Sequence, residues 1–277
     1  MSRFAGVLPM VVLACFLAVL GFASAPAATA APAPTPMSMS MPTPAPTQES
    51  DRALALTPES GPASPVTGTE WSVFNHRGAG FFLLLWGLTA LIAGLQWPRQ
   101  TWFRFVSPLT LFALAEFLIL RNDPKAWPTG PIGFWISFQD PAVVQHRIFV
   151  LLVIAIGLVE LLRAAGKLPK SMQIFALPGL AVFGAIFLFF HKHGGLATQL
   201  MMQHASDAGM ANNPAMQQMK ASMATVKYEH LWFSLCGFGL AAAKLLADGG
   251  VLKGRLGATL WCVFAIVLGA YMMTYTE

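Results

Sequence analysis

Six long apolar runs constrain this chain more than any other feature of its sequence. Each run approaches the roughly 20 residues that an α-helix needs to cross the hydrocarbon core of a bilayer. Only 10% of the 277 residues are charged, whereas soluble domains carry about 25%. The sequence therefore predicts an all-α, polytopic membrane helix bundle with about six transmembrane helices, at residues 79–97, 102–120, 143–162, 174–190, 231–246 and 256–271.

Turn and capping residues mark several boundaries of these helices. Asp140-Pro141 and Asn213-Pro214 each place an N-cap side chain before a proline at the first helical position. Asp248-Gly249-Gly250 separates the fifth apolar run from the sixth. We therefore expect helices to begin at the two prolines and one helix to end at the glycine pair.

The N-terminal region has the pattern of an export signal followed by a tether. Residues 1–25 carry Arg3, an apolar stretch and then Ala23-Ser24-Ala25, which suits signal peptidase. We expect a cleavable signal peptide, with an uncleaved membrane anchor as the alternative. Residues 26–70 are rich in Ala, Pro, Thr and Ser, which predicts a disordered periplasmic tether. In this tether Met37-Ser38-Met39-Ser40-Met41 presents three thioethers, which are soft ligands that copper(I) favours.

The basic residues orient the transmembrane domain, residues 71–277. Positively charged side chains concentrate in the cytoplasmic loops of membrane proteins. Three short loops, near 97–104, 163–172 and 244–255, are the most densely basic. They contain Arg99, Arg104, Arg163, Lys167, Lys170, Lys244, Lys253 and Arg255. We therefore expect these loops in the cytoplasm and both termini of the mature chain in the periplasm, which agrees with the export signal.

All six histidines fall at the predicted outer face of the membrane. Three lie near the starts of the first, third and fifth spans, two close the fourth span, and one lies in the external loop 191–229. They are His76, His146, His230, His191, His193 and His204, respectively. This gathering indicates a metal site, although histidines that merely anchor helix ends at the interface would give the same pattern.

Thioether side chains accompany these histidines. Met216, Met219, Met223, Val226 and His230 recur at spacings of three, four, three and four, so they form one stripe on a helix. Such a stripe also suits ordinary packing. Imidazole and thioether together favour copper over zinc, magnesium or calcium. Copper is the predicted ion.

Carboxylates and a C-terminal methionine complete the candidate ligands. Glu116 lies about one turn below the outer end of the second span, where an ionisable group usually faces a partner or a cavity. Met272 lies at the outer end of the sixth span. Glu160 lies near the opposite end of the third span, three residues before Arg163, which predicts an ion pair. The predicted metal ligands are His76, His146, His191, His193, His204, His230, Glu116, Met219, Met223 and Met272.

Short motifs between residues 70 and 275 resemble a known family. They are Asn75-His76-Arg77, Asp123 to Gly130, Gln145-His146-Arg147, His191-Lys192-His193 and Glu229-His230. Together they resemble the membrane-embedded copper-resistance protein D group of bacteria. The resemblance implies copper uptake or tolerance at the bacterial inner membrane, with the matched histidines as candidate ligands. Members of that group often have eight spans or a fused copper-binding β-domain, so transport, storage and hand-off all stay open for this chain.

Three functions are compatible with the sequence. The first is a copper-binding membrane protein, for which a periplasmic copper-binding protein is a candidate partner beside the lipid bilayer. The second is a haem-b electron carrier, because histidines on neighbouring helices can supply both axial ligands. The third is a non-metal scaffold or assembly factor.

Neither a catalytic triad nor a phosphate-binding loop is apparent in the sequence, so we expect no enzyme. The modest net charge of +5 indicates no nucleic-acid partner. The oligomeric state is not predicted.

Overall fold

The computed structural model describes residues 68–95, 101–121, 123–190, 204 and 213–276. The predicted signal peptide, nearly all of the tether, His191, His193 and most of the external loop lie outside the described residues. Within these ranges the chain is helical and forms no β-strand. The described residues therefore confirm the predicted all-α class, whereas the signal peptide and the tether stay predictions.

Seven α-helices account for most of the described residues. They are α1 (Gly68–Gly94), α2 (Val106–Leu120), α3 (Pro141–Ala164), α4 (Lys170–Gln173), α5 (Ala176–Phe189), α6 (Pro214–Asp248) and α7 (Gly254–Met272). Two 3-10 helices, Thr101–Phe105 and Ile136–Gln139, precede α2 and α3. The first helix begins about ten residues before the predicted span, and α6 joins the methionine stripe and the fifth span in one helix.

Five of these helices are long and apolar enough to cross a membrane: Glu70–Gly94, Trp102–Leu120, Pro141–Ala164, Met216–Asp248 and Gly254–Met272. They make the chain a polytopic helical membrane protein. The predicted span at 174–190 contains α5, an apolar helix of only 14 residues. At 1.5 Å per residue this helix is about 21 Å long, shorter than the roughly 30 Å hydrocarbon core. A full crossing by α5 stays a prediction.

The predicted helix boundaries are confirmed where capping residues marked them. The Asp140 carboxylate accepts a hydrogen bond from the backbone N–H of Ala142 at 2.8 Å, and Pro141 opens α3. Helix α6 begins at Pro214 and ends at Asp248. Gly250 then adopts a positive φ of 76°, which an L side chain rarely tolerates, and thereby reverses the chain towards α7.

The helices pack around the bundle in the order of the sequence. Helix α1 contacts α2, α2 contacts α3, α3 contacts α5, α5 contacts α6 and α6 contacts α7. Helix α7 then packs along α1 and closes the ring. The start of α1, the start of α3 and the C-terminal end of α7 consequently meet at one end of the bundle.

Apolar side chains face outwards in this bundle, and polar ones are buried. Leu109, Leu151 and Leu158 are exposed in the middle of predicted spans, whereas Thr89 and Thr110 are buried. The Thr89 hydroxyl donates to the Leu85 carbonyl at 2.8 Å, one turn earlier in the same helix. This satisfied hydroxyl beneath an apolar exterior is typical of a protein whose solvent is lipid.

Glycines let α1 and α7 approach closely. Gly80, Gly87 and Gly94 follow each other at intervals of seven residues and lie on one face of α1. A methyl group added at Gly80 would lie 2.7 Å from the carbonyl oxygen of Gly269 on α7. Small residues at such crossings allow the backbone contact that stabilises helix pairs in membranes.

Candidate functional site

Three of the predicted histidines come together at the end of the bundle where α1 and α3 begin. His76 lies on α1, His146 on α3 and His230 on α6. The rings of His76 and His230 meet edge to face, with their centroids 5.6 Å apart. His146 is close enough to interact electrostatically with both other histidines. We call these three residues the histidine cluster.

Backbone carbonyls orient two rings of the histidine cluster. Nδ1 of His76 lies 2.9 Å from the Ser72 carbonyl oxygen, and Nδ1 of His230 lies 2.8 Å from that of Val226. A carbonyl only accepts hydrogen bonds, so Nδ1 is assigned the proton in both rings and the lone pair of the neutral imidazole falls on Nε2. Metal-ligating histidines characteristically hold their second nitrogen in this way.

Tyr275 forms one wall of the histidine cluster. Its ring stacks on His76 at a centroid distance of 4.1 Å and an interplanar angle of 18°. The same ring lies 6.2 Å from that of His230, and its residue is only 1% exposed. The sequence analysis missed this residue, because only the closure of α7 on α1 brings the C-terminal tail to His76.

Polar contacts hold the C-terminal tail at the histidine cluster. The Glu229 carboxylate, one residue before His230, accepts a hydrogen bond from the backbone N–H of Thr276 at 3.2 Å. Nε of Arg77, one residue after His76, donates to the Tyr275 carbonyl at 3.1 Å. Neighbours of two cluster histidines therefore fix Tyr275 between α1 and α6.

The start of α1 is also attached to the end of α2. The Trp71 indole donates to the Arg121 carbonyl at 3.1 Å, and the Asn75 amide donates to the same oxygen. The Arg121 guanidinium lies over the Trp71 ring, 3.6 Å from its centroid. These contacts anchor the turn of α1 that carries His76.

The methionine stripe leads along α6 to the histidine cluster. Met216 and Val226 are buried, and Met219 and Met223 are partly buried, whereas most of the residues between them are exposed. The burial pattern matches the predicted stripe. It places the thioethers on the face of α6 that ends at His230.

The remaining predicted ligands lie in different settings. Glu116 is exposed on α2 and makes no described hydrogen bond or ion pair. Met272 is partly buried and packs against two groups of buried apolar residues, one of which includes Tyr275. His204 is exposed, and His191 and His193 lie outside the described residues.

Asp123 lies in the loop between α2 and α3, outside the spans. Burial raises the pKa of its carboxyl, and the hydrogen bond from the backbone N–H of Lys125, at 2.7 Å, opposes that rise. Its described interactions are with Lys125, Ala126 and Asp140. The carboxylate therefore stabilises a turn in this loop, and one of its neighbours, Asp140, also interacts electrostatically with His146.

Among the described residues, no group of three or more His, Cys, Asp and Glu side chains is already arranged to hold a metal ion. Metal binding at the histidine cluster therefore stays a prediction.

Comparison of the chain with protein-family models, curated proteins and solved structures finds no match. The fold and the site therefore define its class by themselves. It is a polytopic helical membrane protein with a histidine cluster at one end of its bundle, where a tyrosine ring stacks on one of the histidines.

Proposed function

We propose that the chain is a copper-binding protein of the bacterial inner membrane that handles copper at the histidine cluster on its periplasmic face. The observation that supports this most is the convergence of His76, His146 and His230 from three different helices. Residues that are far apart in sequence meet there, and ordinary anchoring of helix ends at the interface does not require such a meeting.

The chemistry of the histidine cluster suits copper. The described hydrogen bonds assign the lone pairs of His76 and His230 to Nε2, and imidazole nitrogen binds copper well. The methionine stripe adds thioethers, which are soft ligands that favour copper(I). Met219 and Met223 precede His230 on the same face of α6, so they form a path along which copper approaches the cluster.

The haem-b alternative has less support from the geometry. A haem needs one imidazole on each face of a flat macrocycle. The rings of His76 and His230 instead meet edge to face at 5.6 Å. This contact leaves no room for a haem plane between these two residues. The haem hypothesis is therefore confined to a pair that includes His146.

Metal analysis of the full chain purified in detergent tests the proposal. Cells are grown with added copper, and copper and iron are measured per chain for the native protein and for a variant with His76, His146 and His230 changed to Ala. We expect about one copper per native chain and a loss of most of it in the triple variant. The matched control is His204→Ala, an exposed histidine that is not one of the three cluster residues, which should keep its copper.

Two outcomes would contradict the proposal. Stoichiometric iron with a haem absorption spectrum would indicate the electron carrier. Native protein without either metal would favour the scaffold hypothesis. Equal unfolding temperatures of the apo forms of the native and triple-variant proteins would show that copper loss does not reflect misfolding.

A further inference from the structure

A second polar site lies at the opposite end of the bundle from the histidine cluster. There the end of α1, the start of α2, the ends of α3 and α6 and the start of α7 surround a cavity of about 550 Å³. This volume lies within the usual range for small-molecule sites, about 300–1,000 Å³. None of the candidate metal ligands lines it, so it is separate from the proposed copper site.

The charged side chains that line the cavity are mostly basic. They are Arg104, Arg163, Lys244 and Lys253, against two acidic residues, Glu160 and Asp248. Four positive and two negative groups leave a formal excess of two positive charges. An excess of this sign at the mouth of a helical bundle attracts anions.

Ion pairs compensate the two basic residues that are most enclosed. Asp248 bridges Nη1 of Arg163 at 3.0 Å and Nζ of Lys244 at 2.9 Å, and Glu160 lies 3.1 Å from Nε of Arg163. The Lys244 ammonium also lies over the Trp261 ring, 4.9 Å from its centroid. This network confirms the predicted Glu160–Arg163 pair and lines one side of the cavity.

Arg104 and Lys253 are the two basic residues without an ion pair among the described residues of the cavity lining. Both side chains are exposed. Arg104 lies in the 3-10 helix that precedes α2, and Lys253 lies directly before α7. They account for the excess of positive charge. Their charges are therefore available to a bound anion at the mouth of the cavity.

Hydrogen-bond donors of two further kinds lie at the cavity. Helix α7 begins there, and its N-cap residue, Lys253, makes no side-chain hydrogen bond to the first turn. The first N–H groups of such a helix have no partner within the helix and bind anions well. Ser107 also lines the cavity, is only 4% exposed, and its Oγ has no hydrogen-bond partner in the described residues.

We infer that this cavity binds a phosphate group. Arginine, lysine and a helix N-terminus are the groups that proteins use most for phosphate, because they combine positive charge with directed N–H donors. Two sources carry that chemistry to the end of a membrane bundle: the headgroup of an anionic phospholipid and a soluble phosphate. Basic pockets between transmembrane helices are known to hold anionic lipid headgroups.

Native mass spectrometry of the full chain in detergent tests the inference. The probes are phosphatidylglycerol, phosphatidylcholine as a neutral lipid, and inorganic phosphate. The test variants are Arg104→Gln with Lys253→Gln, and separately Ser107→Ala, which removes a donor without changing charge. The matched control is Lys220→Gln with Lys227→Gln, two exposed lysines of α6 outside the cavity lining.

We expect the native chain to bind phosphatidylglycerol or inorganic phosphate more tightly than phosphatidylcholine. The Arg104/Lys253 variant should lose about tenfold in affinity or more, because charge-assisted hydrogen bonds are removed, and Ser107→Ala should lose less. The control should bind like the native chain. Preference for phosphatidylglycerol alone identifies a lipid headgroup, and binding of inorganic phosphate identifies a soluble ligand.

Two results would overturn the inference. One is that neither anionic probe binds better than phosphatidylcholine. The other is that the Arg104/Lys253 variant and the α6 control lose affinity equally, since the binding would then reflect net charge alone. The phosphate test uses no copper, so its failure would not contradict the proposed copper site. Failure of the copper test would likewise not contradict the phosphate site.

Discussion

Tyr275 determines how the His76 ring is presented at the histidine cluster. The tyrosine ring stacks on His76 at 4.1 Å, and the hydrogen bond from Nδ1 to the Ser72 carbonyl fixes the same imidazole along a second direction. Two such constraints leave His76 with one preferred orientation. An oriented ligand loses less conformational entropy when it binds a metal ion.

Replacement of Tyr275 by Ala should therefore weaken copper binding. An aromatic pair contributes about 0.5–1.5 kcal/mol beyond its buried area, so we expect a loss of roughly two- to twelvefold in affinity. Competition titration with a copper chelator measures this. Tyr275→Phe keeps the ring and should bind like the native chain; a loss as large as that of Tyr275→Ala would assign the role to the hydroxyl instead.

The pairing of α1 with α7 closes the bundle and thereby completes the histidine cluster. Gly80 and Gly269 face each other at this crossing, and a methyl group at Gly80 would also meet Cβ of Met272 at 2.8 Å. Larger residues here would push the two helices apart. The displaced end of α7 would carry Tyr275 away from His76.

Gly80→Val should lower the stability of the bundle by about 1–3 kcal/mol, because overpacking at a tight crossing forces the backbone to shift. Thermal unfolding in detergent, followed by tryptophan fluorescence, measures this effect. Gly179 on α5 is the matched control, since a side chain added there would meet nothing within 4 Å. Equal destabilisation by Gly80→Val and Gly179→Val would show that helix propensity, rather than the α1–α7 contact, causes the loss.

At the scale of the whole molecule, polar groups gather at both ends of the bundle and apolar side chains cover its sides. The histidine cluster lies at one end and the basic cavity at the other. Residues His230 and Lys244 on α6 are 14 positions apart, which corresponds to about 21 Å along a helix. Orientation in the membrane therefore decides which compartment supplies each site.

The proposed orientation predicts opposite accessibility for the two ends. In a background with the native cysteines changed to Ser, Thr129→Cys in the α2–α3 loop should react with a membrane-impermeant maleimide in intact spheroplasts. Lys253→Cys, beside the basic cavity, should react only after the membrane is permeabilised. The reverse labelling pattern would place the histidine cluster in the cytoplasm and contradict the proposed periplasmic location.

Local signals in the sequence predicted much of this architecture. The cap at Asp140, the helix start at Pro214, the helix end at Asp248 and the Glu160–Arg163 pair depend on residues close in sequence, and the structure has all four. The membrane class follows from apolar length alone. These features could be predicted because each depends on one helix and its ends.

Features that depend on helix pairing could not be predicted in the same way. Tyr275 reaches His76 only because α7 closes on α1, and the basic cavity needs the ends of five helices. The seven-residue spacing of Gly80, Gly87 and Gly94 was the available signal for that closure. Glu116 is the converse case. Its position along the span could be predicted from the sequence, but the exposure of its side chain, away from the bundle interior, could not.

X-ray absorption at the copper edge of the copper-loaded chain tests the central claim most directly, because it reports the atoms bound to the metal. The proposal predicts the scattering of at least two imidazoles, reduced by His76→Ala with His230→Ala and unchanged by His204→Ala. A copper spectrum without imidazole scattering, or one that the His76/His230 variant leaves unaltered, would contradict a copper site at the histidine cluster.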